Sequence, residues 1–210
     1  TSSPVDSSAT ASVLASAAIM QLMKKQRDAV GLSIYSESYD FYAPEKGSER
    51  HHHMLLDQLN QIIVRKRQQV KTDTYANLHL IAEKLKRRSL VFLFSDMFQN
   101  EKDQETMFEA LQHLKYNKHE VVLFHTYDGD KELNFDFDNA PKRFIDVETG
   151  DSINVFADNI KQEYASDVKA YFDALKLRCA RYNIKYVDAN IQKGFAAILS
   201  NFLIERQKFL

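Results

Sequence analysis

Ser89-Leu90-Val91-Phe92-Leu93-Phe94-Ser95-Asp96 is the stretch on which the fold turns. It is apolar from Leu90 to Phe94 without alternation and stops on a carboxylate. Such a run suits a central strand of a parallel sheet covered on both faces. Ligands of these sheets bind in the crevice beyond the carboxyl ends of the strands, where Asp96 would stand. Asp96 would equally serve as a cap for a helix starting near Glu101, or simply open a polar loop. The strand alone does not choose between these roles.

Working outward, Glu101 to Lys115 has helical spacing, with Met107, Phe108, Leu111 and Leu114 toward a core and acidic residues at its positive end. Val121 to Thr126 is a second buried strand. The rhythm then changes. Leu133 to Phe137 alternates apolar and acidic residues, and Arg143–Val147 with Ile153–Phe156 flank the turn Glu148–Asp151. This predicts a small antiparallel hairpin insertion over about 131–156. A long amphipathic helix follows, carrying Ile160, Tyr164, Val168, Phe172, Leu175 and Cys179, then a strand over Ile184–Val187 and a closing helix over Ile191–Phe209.

Upstream, Thr10–Gln26 predicts a helix, and Ala29–Tyr35 with Tyr39–Ala43 a hairpin at one edge of the sheet. Pro44–Ser48 reads as a loop. Arg50–Val64 is a further helix, Arg65–Lys71 its basic exit, and helix resumes from Asp73 or Thr74 to Arg87. Strands and helices alternate, so the class is α/β with a mostly parallel sheet. Right-handed crossovers place helices on both faces, a doubly wound arrangement within one domain over 1–210.

The 210 residues suffice for a sizeable core, and 28 Lys plus Arg against 29 Asp plus Glu give no bias toward nucleic acid or an anionic membrane. Five glycines, none in a phosphate-loop pattern, argue against nucleotide binding. A lone cysteine, Cys179, rules out an internal disulfide and suits a reducing compartment. No apolar stretch approaches the ~20 residues that span a bilayer. The first residues lack a charged-then-apolar leader pattern, so a cytoplasmic location is the expectation.

Besides Asp96, two clusters carry oxygen donors. Lys71-Thr72-Asp73-Thr74 lies between two helices, where Thr72 or Asp73 would also cap the second. Thr1-Ser2-Ser3-Pro4-Val5-Asp6-Ser7-Ser8 is rich in hydroxyls, a composition also common in disordered tails. Hydroxyls and carboxylates without nearby cysteine or histidine suit Mg²⁺. His51, His52 and His53 are consecutive, and successive helical positions point about 100° apart, so they do not converge on one ion. His125 ends the second buried strand and borders the same crevice, although a core role fits it as well. Cys179 sits on an apolar helical stripe and reads as core. No nucleophile–base pair emerges.

With these residues in view, the chain resembles the von Willebrand factor A-like bacterial proteins of the domain-of-unknown-function 58 family. The similar stretches are Gln26–Leu32, Lys71–Thr74, Leu85–Leu90 running into Phe94-Ser95-Asp96, His119–His125, and the hairpin ending in Asp146–Gly150. Their order and spacing run from residue 10 to the C-terminus. The resemblance implies a Rossmann-like fold with a metal-ion-dependent adhesion site built from a D-x-S-x-S loop, a threonine loop and an aspartate after a central strand. Thr72 matches the second element and Asp96 the third. Ser2 matches the first hydroxyl if the chain begins just after the loop's aspartate, with Pro4 where the second serine belongs. The rival register is Asp6-Ser7-Ser8-Ala9-Thr10.

The implied metal set is therefore Ser2, Thr72 and Asp96 on Mg²⁺ or Mn²⁺, with Asp73, Ser95 and His125 as supporting neighbours. The first strand of such a sheet is expected upstream of residue 1. The implied activity is metal-dependent protein binding rather than catalysis, with an AAA+ ATPase of the MoxR class as partner. The alternatives are a Mg²⁺-dependent phosphoryl-transfer or hydrolytic enzyme using Asp96 and Asp73, and a scaffold with a degenerate metal site.

Overall fold

Strand β4, Glu120–Tyr127, is buried at every residue after Glu120. In a computed structural model, which describes residues 7–35, 41–64, 74–97, 101–133, 142–145, 152–155 and 157–207, β4 is the middle of a three-stranded parallel sheet. On one side β3, Leu90–Ser95, runs in register with it, Val91 opposite Val121 and Ser95 opposite His125. On the other lies β7, Lys185–Asn190, with His125 opposite Asp188. The Ser89–Asp96 run is thus a parallel strand, and among the described strands β4 is the interior one. Among the described residues β3 has a strand neighbour on one side only, and Leu93 alone of its side chains is fully buried.

The lack of alternation in β3 and β4 has a direct cause: both faces of the sheet are covered. Val91, Leu93, Val121 and Leu123 meet α3 (Thr74–Lys84), α4 (Glu101–Tyr116) and α5 (Ala157–Arg181) through Leu78, Phe108, Leu111 and Cys179. On the opposite face Phe92, Phe94, Val122, Phe124, Val187 and Ala189 meet α1 (Ser7–Lys25) and α6 (Gly194–Gln207). Here Phe124 stacks on Phe94 with ring centres 4.7 Å apart and lies 5.6 Å from Phe202. Burial pushes the Cys179 thiol up to about 12, so it stays protonated and acts as a small apolar core residue.

The hairpin expected near residue 35 forms, as β1 (Val30–Ile34) antiparallel to β2 (Phe41–Lys46), which takes in Pro44 and part of the expected loop. Among the described residues it is not joined to the parallel sheet. The two strands make a sheet of their own, packed by α1 and α2 (Glu49–Val64) through Val13, Met20, Leu55 and Leu59. Gly31 sits at the register shift of this pair. A Cβ there would stand 2.9 Å from the Ala43 carbonyl oxygen and 3.0 Å from the Glu45 nitrogen, so only glycine lets the strands approach this closely.

Along α2, His51 donates from Nε2 to the Val30 carbonyl at 3.0 Å, His52 meets the Gln21 amide oxygen at 3.0 Å, and His53 is exposed. The three rings serve different neighbours. β5 (Lys142–Ile145) and β6 (Ser152–Val155) pair antiparallel between β4 and α5 in the chain order. The rest of the expected insertion up to residue 156, apart from the single helical turn Gly129–Leu133, lies outside the described residues. Helix α3 ends at Lys84 rather than Arg87, yet Leu85 still packs on the core. Among the described residues no helix is long and apolar enough to cross a membrane.

Candidate functional site

Beyond the carboxyl end of β3 the chain turns through Ser95-Asp96-Met97, which carries the one described residue of the expected metal set. Asp96 is exposed, whereas Met97 beside it is completely buried. Met97 has φ of 59°, the left-handed region that a residue with a Cβ enters at a cost of about 1–2 kcal/mol. Side chains from several elements hold this turn. The Ser95 hydroxyl accepts from the Met97 amide at 3.1 Å. The Met97 carbonyl accepts from the Tyr171 hydroxyl of α5, to which the Gln104 amide of α4 donates at 3.2 Å.

The Asp96 carbonyl is held by His125. A carbonyl only accepts, so the His125 Nε2 at 2.9 Å carries the proton, and Nδ1 accepts from the Tyr186 hydroxyl at 2.8 Å. The imidazole is fully buried and stands edge-on to Phe172 at 4.5 Å. His125 therefore supports Asp96 through the backbone. The Asp96 charge also reaches two phenols. Burial first, and the Asp96 carboxylate second, raise Tyr171 to about 12 and push Tyr35 upward as well. Tyr35 follows β1 and packs on the core cluster that contains Met97.

Burial pushes His125 down to about 4, outweighing the Asp96 carbonyl and the Asp188 charge, which act the other way. The folded protein holds this imidazole neutral while the unfolded chain protonates it near 6.5. Its contribution to stability is complete above that value and is lost as pH falls toward 4. Between pH 7 and pH 5 the loss comes to about 2 kcal/mol. Urea titrations at the two pH values should show it, and His125→Gln should flatten the slope by that amount. An unchanged slope in the variant would assign the pH dependence elsewhere.

Next to this turn, the ends of β4 and β7 form a polar cluster that the sequence alone did not indicate. Tyr127 donates to Asp188 at 2.8 Å. The buried Asp128 carboxylate accepts from the Gln192 amide at 2.9 Å and from the Asp130 backbone at 3.2 Å. The Asn190 oxygen accepts from the Gly129 and Gln192 amides. A Cβ on Gly129 would lie 2.2 Å from the Asn190 side-chain nitrogen, which explains the glycine. The local signal for this cluster is Asp128-Gly129-Asp130 following a strand. Asp188 is thus engaged by a phenol, and Asp128 by an amide of its own loop and one from the turn after β7.

Ser2, Thr72 and Asp73 lie outside the described residues, as does Asp6. The structure brings together Asp96, Ser95 and His125. In the rival register, Ser7 through Thr10 belong to the first turn of α1 rather than to a loop. Among the described residues no group of three or more His, Cys, Asp or Glu is gathered to hold a metal. A set of two hydroxyls and one carboxylate is not a group of that kind. The family model described as "Protein of unknown function DUF58" matches residues 3–171. No curated protein and no solved structure matches the chain.

Proposed function

The chain belongs to the DUF58 family, and from that premise we propose that it is a metal-dependent protein-interaction module. The observation that carries this reading is the Asp96 turn: an exposed carboxylate at the carboxyl end of a parallel strand, on a backbone fixed from α5 and β4. A carboxylate oxygen is a hard donor that fits Mg²⁺ or Mn²⁺, which keeps several waters and needs few protein ligands. Thr72 and Ser2 would supply the neutral hydroxyls. An ion held by so little negative charge stays electrophilic, and an acidic side chain of a partner can complete its coordination.

In the von Willebrand A-like arrangement proposed here, the strand carrying the first hydroxyl loop lies beside β3. The side of β3 away from β4 supports that placing, because no described strand pairs there. The partner we propose is a MoxR-class AAA+ ATPase. EDTA should then weaken the complex, and Thr72→Ala should weaken it with little change in thermal stability. Removing one charge-assisted interaction corresponds to roughly 10- to 150-fold in affinity. Surface plasmon resonance with and without EDTA measures this. A complex indifferent to EDTA but abolished by changes at Phe135 and Phe137 would move the interface to the insertion.

A further inference from the structure

Three side chains hold three backbone atoms of the turn and a fourth holds one of those side chains, so that what is gripped is the peptide frame of Asp96 rather than its carboxylate. Tyr171 takes the Met97 carbonyl, His125 the Asp96 carbonyl and Ser95 the Met97 amide, while Tyr186 fixes the His125 tautomer. An isolated Ser-Asp-Met turn has no reason to keep methionine left-handed, since the right-handed conformation is lower in energy. The conformation therefore depends on remote groups: α5 supplies one, β4 a second and β7 a third. The buried His125 is costly to desolvate, and in this place an apolar residue would pack but could not donate to the Asp96 carbonyl.

We propose that Tyr171, His125 and Tyr186 are positioning residues for Asp96: they lock the turn that aims its carboxylate and thereby set its affinity for a divalent cation. The cation part rests on the function proposed above; the locking of the turn does not. If either tyrosine hydroxyl is removed, the turn gains access to right-handed conformations and the carboxylate loses its fixed direction. Affinity falls because the ion must then order the loop on binding. Tyr127 is the matched comparison. Its ring lies in the same aromatic cluster, 5.4 Å from His125 between ring centres, but its hydroxyl donates to Asp188 rather than to the turn.

Tyr171→Phe, Tyr186→Phe and Tyr127→Phe are compared by amide hydrogen exchange and by Mn²⁺ titration, well below their melting temperatures. The expected result is about tenfold faster exchange of the Met97 amide and about tenfold weaker Mn²⁺ binding in the first two variants, with neither change in Tyr127→Phe. The interior amides of β4 stay protected in all three. Unchanged Met97 exchange in Tyr171→Phe and Tyr186→Phe overturns the proposal, as does an equal effect in Tyr127→Phe. Should the unmodified protein bind no Mn²⁺, the metal reading fails on its own, and the exchange measurement still decides whether these residues lock the turn.

Discussion

Asp96→Ala is expected to lower Mg²⁺ affinity by about a hundredfold or more while leaving the fold in place. The size follows from the donor set. Ser2 and Thr72 are neutral, so Asp96 supplies the only protein charge among the three proposed ligands, and two hydroxyls alone compete poorly with water for the ion. The insensitivity of the fold follows from where the residue is held. Asp96 is exposed, and its bond to His125 uses the backbone carbonyl, which alanine keeps. Exposed substitutions of this sort change stability by about 0.5 kcal/mol or less, about 2 °C in melting temperature for a chain this long. Asp96→Asn separates charge from shape and should fall between the two. Calorimetry on all three proteins reads the outcome. An Asp96→Ala protein that binds Mg²⁺ as tightly as the parent would remove this aspartate from the site. Metal-dependent turnover of a phosphate ester, abolished by the same change, would instead favour an enzyme.

How far the sequence reaches can be seen in particular residues. Phe108, Leu111 and Leu114 repeat at helical spacing and are completely buried, because a helix against a sheet leaves a periodic trace. The unbroken apolar runs of β3 and β4 report two covered faces. They do not report which strand is interior, since pairing partners lie far away in sequence and a local pattern carries no information on them. For the same reason β1 and β2 were legible as a hairpin, but their separation from the parallel sheet among the described residues was not. At the site, Asp96 stood out because a carboxylate closing an apolar strand is easily read. Of the groups that hold it, Ser95 and His125 were legible as its neighbours, but Tyr171 and Tyr186 were not. Tyr171 and Met97 are 74 positions apart, His125 and Tyr186 are 61 apart, and each tyrosine reads locally as one more aromatic residue. The left-handed Met97 leaves no mark either, because only glycine or asparagine there would have suggested it.

Phe124→Ala should be the most damaging single truncation in the sheet, costing about 3–5 kcal/mol. The ring is wholly buried on β4 and packs on three aromatic neighbours, Phe94 at 4.7 Å, Phe202 at 5.6 Å and Phe92 at 6.1 Å. Strands on both sides and α6 above restrain these neighbours, so the space vacated by the ring closes only in part. Phe94 touches the same ring but is only half-buried, and Phe94→Ala should cost about 1–2 kcal/mol less, since transfer and cavity terms both scale with what is buried. Urea unfolding of the two variants side by side measures the difference, and Phe124→Leu should recover most of the loss. The comparison also reports on the far side of β3. If a further strand completes the sheet there, Phe94 becomes an interior residue and its truncation costs as much as that of Phe124. With the described strands alone a gap between the two is the expected result, and the von Willebrand A-like arrangement expects it to close in a longer chain that supplies the further strand beside β3.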